Sequence, residues 1–423
     1  MTTENQRKII NDPVFGFIQI PYPLIFDIIE HPYFQRLRRI KQLGLTHLVY
    51  PGAQHTRFQH CIGTLHLMNS AISVLRSKGI EISDEEAEAV SIAILLHDVG
   101  HGPFSHALEQ SLIEGITHED LSRLFMEELN RSFSGHLELA IKIFNNQYEK
   151  KYLYQLVSGQ LDMDRLDYLR RDSFFTGVTE GIIGSDRIIK MINVAGDNLV
   201  VDSKGIYSIE KFLVARRLMY WQVYLHKTVQ SAELLLLKIL KRAKELAQHG
   251  TPLFGTPALK FFLYQNVNYI SLFGKTPIFT PSQILKNFAA LDDNDIIASA
   301  KIWTESDDKV LAQLCRRLIN RNLFKVELQD QPFNDDVLQL LKKWVVRQYD
   351  IRKEEADYFV FTELISNYAY DPEDHSIQIL FKDGSLQDIS EASDMLNTSV
   401  LSKTVMKYCF CYPKECSNNK ING

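Results

Sequence analysis

In Leu95-Leu96-His97-Asp98-Val99-Gly100-His101-Gly102-Pro103-Phe104-Ser105-His106, three imidazoles and a carboxylate fall within ten residues, directly after an apolar run. From Ala89 to Leu96 the only polar side chain is Ser91, which predicts a buried helix whose end delivers His97, Asp98 and His101 to a cavity. On a continuing helix His97 and His101, four apart, share a face. Asp98 reaches the same point only where two faces meet one pocket. Groups of this kind are costly to bury unless they bind a metal ion or a charged ligand. A single core histidine satisfied by a backbone carbonyl is ordinary, but the whole cluster reads as a metal site.

Working outward, Ser83 before Glu85 and Glu86 predicts the N-cap of a helix over Asp84–Leu96. Upstream, His55-Thr56-Arg57-Phe58-Gln59-His60 opens a helical pattern that runs to about Leu75 and stops before Gly79. Pro32–Leu43 predicts a basic helix, with Phe34, Leu37 and Ile40 on one face and Arg36, Arg38, Arg39 and Lys41 around it. Phe15–Ile20 alternates like a strand after the Asn11-Asp12-Pro13 turn. Downstream, Ser111–Phe144 holds two or three helices, with His118 at the start of one. Asp164, Tyr168 and Asp172 then recur at helical spacing, with Asp167 and Arg171 beside them. Short strands are expected at Leu199–Asp202 and Gly205–Tyr207, followed by one long helix over Ser208–Glu245 that carries Tyr220, Tyr224 and Lys227. Thr251–Thr280 is punctuated by Pro and Gly. Helices resume at Pro281–Leu323 and Asn334–Ile351, and Tyr358–Pro413 alternates like strands around an Asp383-Gly384 turn.

The 423 residues are 45% hydrophobic and 23% charged, which fits a globular protein and excludes a disordered one. A net charge of -5 offers no global attraction for nucleic acid, so a polyanion must be met by local basic clusters. Met1–Ile10 has no signal-peptide pattern, and the longest apolar runs are too short to span a bilayer, so a cytoplasmic protein without membrane contact is expected. Five cysteines make no disulfide framework; reduced thiols are expected, with Cys409, Cys411 and Cys416 lacking a second ligand pair for zinc.

Put together, His60, His97, Asp98 and an aspartate of the 162–167 cluster supply two imidazoles and two carboxylates. Mixed nitrogen and oxygen donors suit one divalent ion such as Mn, Fe, Mg, Ni or Zn. Two carboxylates cancel the formal charge of such an ion and leave room for a phosphate oxygen and a water. An ion in that position polarises a phosphoryl group, and spare histidines can protonate a leaving oxygen.

This order of a first histidine, an adjacent His-Asp pair and a distant aspartate resembles the HD-domain phosphohydrolases. Arg57-Phe-Gln-His60, His97 to His106 and Asp162-Met-Asp164-Arg165-Leu-Asp167-Tyr168 look like the branch that includes bacterial dNTP triphosphohydrolases and the human SAM-and-HD-domain enzyme. The likeness covers roughly residues 8 to 230. It implies a mainly α fold, an HD-domain helical core with small β elements and a C-terminal α+β region. It implies His60, His97, Asp98 and Asp164 as ligands, His106 as proton donor, His101 as a phosphate contact, and His118 and Glu109 as the rest of a relay. Arg57 and Arg165 match triphosphate-holding positions, and Gln42, Tyr168, Asp172 and Tyr224 match sugar-contacting ones. Tyr220 stands where the human enzyme has a histidine. Lys227 adds a cation that favours a long phosphate chain. Relatives of this kind assemble as tetramers and bind activating nucleotides between subunits, at positions matched here by Lys8, Asn11, Gln35 and Arg38.

The expected organisation is an N-terminal segment over residues 1–50 with a regulatory nucleotide site, a phosphohydrolase core over 51–245 and a C-terminal region over 246–423. The expected activity is hydrolysis of dNTPs to deoxynucleoside and triphosphate by a homo-oligomer, a dimer or tetramer. Two alternatives are an HD phosphohydrolase acting on a nucleoside monophosphate or (p)ppGpp, and a nucleotide-sensing module without turnover.

Overall fold

Ser83 begins the helix that carries the central motif. Its hydroxyl accepts from the Glu86 amide (3.1 Å) and the Glu86 carboxylate accepts from the Ser83 amide (2.8 Å), which satisfies two donors that a helix start leaves open. In this computed structural model, residues 8–274, 277–367, 376–394 and 405–417 are described, and for His106, Ser366, Asn367 and Val405 the backbone alone. The long helix over Arg57–Ser77 (α1) packs against Asp84–Leu96 (α2), and both are buried along most of their length. Around them lie His118–Ser132 (α3), Met163–Thr176 (α4), Ile206–Met219 (α5) and Lys227–Gln248 (α6). The fold is mainly α, with 59% of the described residues helical.

The helix ends at Leu96 rather than running through the motif. Val99 and His101 donate to Leu96 and Asp98 in successive tight turns, so His97 and His101 do not share a helical face. Gly100 lets this turn pack directly on α3: a Cβ there would lie 2.2 Å from the His118 carbonyl and 2.3 Å from the Ser122 amide. Ser122 closes the contact, accepting from the Gly100 amide (2.9 Å) and donating to the His97 carbonyl (2.8 Å).

The basic segment also differs from its expected form. It is a short helix, Pro32–Gln35, followed by a 3₁₀ turn, Arg36–Arg39. Phe34, Leu37 and Ile40 are buried as their spacing predicts, but Arg36 is buried with them. Its guanidinium donates to the His101 carbonyl (2.9 and 2.7 Å) and to the Val99 carbonyl (3.3 Å), between the rings of Phe125 and Phe288. Burial pushes it down to about 9, so it stays charged at neutral pH. Arg39 pairs with Asp292 instead of standing free.

The expected single helix over Ser208–Glu245 is two. After α5 the chain makes a π turn over Tyr220–Tyr224, breaks, and restarts with His226 as N-cap of α6. The wider turn accommodates three bulky aromatics in five residues, and such turns are frequent at functional sites. Residues 205–207, expected as a strand, are instead the end of a 3₁₀ turn and the start of α5.

Strands are small. β1 (Ile9–Asp12) and β2 (Gly16–Gln19) form a hairpin. β3 (Ile192–Ala195) and β4 (Asn198–Asp202) form another through Gly196 and Asp197, both at positive φ. β7 (Gln378–Leu380) and β8 (Leu386–Asp388) extend that hairpin from the C-terminal region, turning at Asp383-Gly384 as the sequence predicts. β9 (Val405–Tyr412) lies between β5 (Lys325–Gln329) and β6 (Phe361–Asn367). One apolar core runs from Ile18 to Cys416, across residue 246. Among the described residues no helix is long and apolar enough to cross a membrane.

Arg36→Met keeps much of the buried volume but strands two loop carbonyls. Stability should fall by about 2–3 kcal/mol, read as a lower urea midpoint at unchanged slope. An unchanged midpoint would show that the arginine does not brace this loop.

Candidate metal centre and adjoining cavity

His60 sits in the first turn of α1, which Thr56 and Gln59 cap reciprocally. His97 and Asp98 sit just beyond α2, and Asp164 in the first turn of α4. His60 Nδ1 donates to Asp167 Oδ2 (2.7 Å) and His97 Nδ1 donates to the Ile94 carbonyl (2.6 Å). Both rings therefore turn Nε2 inward, and the two Nε2 atoms are 3.3 Å apart. Asp164 Oδ1 lies 3.1 Å from the first and 3.6 Å from the second. Asp98 places Oδ1 3.4 Å from His97 Nε2 and Oδ2 3.8 Å from His60 Nε2. Separations of this size match ligands that share an ion at bonds of about 2.0–2.2 Å. The donor set fits a divalent metal.

The electrostatics agree. Burial acts to lower His60, but Asp164 and Asp167 outweigh it and push the imidazole up to about 10. Burial likewise opposes charge on His97, and Asp98 and Asp164 raise it. Asp98 is held well below the usual carboxylate range, because His101, His97 and Arg57 outweigh its burial. Asp164 is lowered in the same way by His60 and His97. The attraction for a proton between these groups is the attraction that would hold a cation.

His101 stacks on His118 with ring centroids 3.9 Å apart. Its Nδ1 meets the Ser105 hydroxyl (2.6 Å) and its Nε2 lies 3.3 Å from Asp98. Burial and then Arg57 hold His101 below its usual range. His118 goes the other way: burial lowers it, but Glu109 (3.3 Å) and Glu119 (3.1 Å) carry it up to about 10. The stacked pair is therefore one neutral and one charged ring at neutral pH. The His106 side chain is outside the described residues.

Arg57 donates to Asp98 Oδ2 and also lines a cavity of about 300 Å³ that contains Gln42, Phe104, Tyr224, Gln230 and Glu233. Tyr224 donates to Asp172 (2.7 Å), whose other oxygen meets His55 Nε2 (2.8 Å). Tyr168 packs its ring edge-on to Tyr224 at 6.1 Å. Arg165 is tied to Asp162, the N-cap of α4. Lys227 is exposed in the first turn of α6 and does not line this cavity. Gln35 accepts from Arg38 (2.9 Å), whose guanidinium lies over Phe58. Lys8 lies over Phe26 and Asn11 is exposed on β1; no hydrogen bond or ion pair joins these two to Gln35 or Arg38 among the described residues. All five cysteines are buried and free.

Asp167, placed by its spacing beside the Asp164 face, takes a role that the sequence did not signal. Besides orienting His60, it accepts both Nε and Nη2 of Arg171 (2.9 and 3.0 Å), and Arg171 donates onward to Asp12 (2.7 Å). The i,i+4 spacing signalled the Asp167–Arg171 pair; nothing local signalled the third partner. Gly63 makes room for it, since a Cβ there would lie 1.9 Å from Asp167 Oδ1.

The HD domain family matches residues 57–172 and the HD associated region matches residues 183–251. A crystal structure of a phosphohydrolase from Bacteroides thetaiotaomicron superposes with a TM-score of 0.92 at 58% identity, over 96% of this chain and 100% of that one. The chain belongs to the HD-domain phosphohydrolases. The Bacillus subtilis protein YwfO is 32% identical over 98% of this chain and 95% of its own length. A Dictyostelium discoideum protein named as a SAMHD1 homolog, a deoxynucleoside triphosphate triphosphohydrolase, is 32% identical over 56% of this chain and 49% of its own.

A carboxylate that orients a ligand histidine tunes metal affinity. Asp167→Asn should weaken divalent metal binding about 10–100-fold, measured by titration against a chelating indicator. Unchanged affinity would remove Asp167 from the site.

Proposed function

We propose that this HD-domain phosphohydrolase hydrolyses deoxynucleoside triphosphates to deoxynucleoside and triphosphate. The observation that carries the reading is Arg57, which joins the His–Asp cluster to the cavity: it donates to Asp98 and lines the adjoining space. A volume of about 300 Å³ is at the lower end for small-molecule pockets. A divalent ion held by His60, His97, Asp98 and Asp164 would polarise a phosphoryl oxygen and supply hydroxide near neutral pH.

The chain's own residues take the remaining roles. Arg57 and Arg165 hold phosphate oxygens, each kept in place by its aspartate. His101 contacts the phosphates as a neutral ring, backed by the charged His118 that Glu109 and Glu119 hold. His106 protonates the departing 5′ oxygen. Gln42, Tyr168 and the Tyr224–Asp172 pair meet the sugar, and Lys227 adds a cation for the phosphate chain. Lys8, Asn11, Gln35 and Arg38 take an activating nucleotide between subunits of a homo-oligomer. The support for that assignment is the resemblance of these positions, together with the exposed Arg38 guanidinium fixed by Gln35 over Phe58.

A panel of dNTPs, nucleoside monophosphates and (p)ppGpp, with Mn or Mg and product chromatography, tests the activity. Deoxynucleoside and inorganic triphosphate should appear together from dNTPs; pyrophosphate or orthophosphate as the first product would assign a different reaction. Run with and without added GTP, the same panel tests regulation. Arg38→Glu should lose the stimulation that the wild type gains, and equal rates in all four conditions would remove the regulatory site.

A further inference from the structure

Glu233 lies in the second turn of α6 and lines the cavity that Arg57 joins to the His–Asp cluster. Among the described residues no hydrogen-bond donor or cation meets its carboxylate. Gln230, one turn earlier on the same helix face, donates its amide to the Tyr224 carbonyl (2.9 Å), which leaves its side-chain oxygen as an acceptor. Gln42 Oε1, on the same cavity, is buried without a partner. Of the two lysine and arginine side chains that line the cavity, Arg57 is bound to Asp98, and Lys41 forms no ion pair with Glu233 among the described residues. Donors such as Tyr220 and Ser105 also line the cavity, but among the described residues none is hydrogen-bonded to Glu233 or to Gln42 Oε1. Acceptors buried without partners are costly, and they fit a ligand that brings the donors.

We propose that Glu233 reads the base of the bound nucleotide, its carboxylate accepting the adjacent imino and amino hydrogens of guanine, so that the cavity selects guanine nucleotides. The inference rests on the nucleotide-hydrolase reading above. Guanine alone among the four bases presents two donors side by side on its pairing edge. Adenine and cytosine present an amino group beside a ring-nitrogen lone pair, which repels the second carboxylate oxygen. Thymine presents one imino hydrogen between two carbonyl oxygens. Sites that hydrogen-bond a specific group discriminate strongly against analogues lacking it.

Burial pushes the Glu233 carboxyl up to about 7. The other titratable groups lining the cavity are Lys41, Arg57, Tyr220 and Tyr224, and His47 on the adjoining turn is bound to the Gly44 carbonyl. Protonated Glu233 presents one donor and one acceptor, which suits adenine and cytosine. Ionised Glu233 presents two acceptors. Guanine preference should therefore grow as pH rises through about 7.

The test is internal competition: all four dNTPs in one reaction, with their depletion followed for wild type, Glu233→Gln and Glu233→Asp at several pH values. Because the substrates share one enzyme population, any activation by nucleotide cancels from the ratios. Wild type should consume dGTP about tenfold faster than dATP above neutrality, with the ratio shrinking as pH falls. Glu233→Gln should flatten it at every pH, and Glu233→Asp should keep its direction. Equal depletion of all four by wild type overturns the assignment and leaves the triphosphohydrolase reading standing. If no triphosphate is cleaved, equilibrium dialysis with dGTP and dATP reads the same pocket. A guanine preference lost in Glu233→Gln then upholds Glu233 while the hydrolase reading falls, and equal binding overturns both.

Discussion

Two imidazole nitrogens, His60 Nε2 and His97 Nε2, face each other at 3.3 Å. Two lone pairs at that distance repel unless positive charge sits between them. The outer nitrogen of each ring is committed as a donor, so neither ring can turn away to relieve the repulsion. The commitment of His60 runs through Asp167 to Arg171 and on to Asp12, which ties α1, α4 and the N-terminal hairpin into one buried chain of charges. A buried charge is tolerable only when paired and hydrogen-bonded. Gly63 is part of the same constraint, because only a residue without a Cβ lets the pair approach α1.

The loop between α2 and the Ser105–Glu109 helix obeys a second constraint. It must present Asp98 and His101 at one point while its own carbonyls are buried. Arg36 meets those carbonyls from one side and Ser122 meets the loop from the other. Fixed in this way, Asp98 serves three neighbours at once: His97, His101 and Arg57. Arg57 carries the influence of the cluster into the cavity, where Tyr224 and Glu233 lie on the π turn and on α6. The break between α5 and α6 is thus what lines the cavity with aromatic and polar side chains.

The contiguous parts of this arrangement were legible in the sequence. The His97-Asp98 pair follows an apolar run with a clear cap, and the helix over Asp84–Leu96 has the bounds its residues predict. The turn at Asp383-Gly384 and the burial of Phe34, Leu37 and Ile40 follow from turn chemistry and spacing. Long-range partners were not legible. Spacing shows that Asp167 and Arg171 share a helix face, but not that a histidine more than a hundred residues earlier lies across from them. Arg36 reads as one more surface cation, because the carbonyls that receive it are more than sixty residues away. A π turn keeps nearly the periodicity of the helix it interrupts, so the aromatic run at Tyr220–Tyr224 continued the pattern on paper.

The central claim is that the inward-facing nitrogens and two carboxylates hold a divalent ion on which hydrolysis depends. Metal content per chain, measured by mass spectrometry for wild type and Asp98→Ala alongside nucleotide turnover, addresses it most directly. Wild type should carry one divalent ion per chain, and Asp98→Ala should lose ion and turnover together. A fully loaded Asp98→Ala, or a wild type that turns over nucleotide after chelation has removed every ion, would contradict the account.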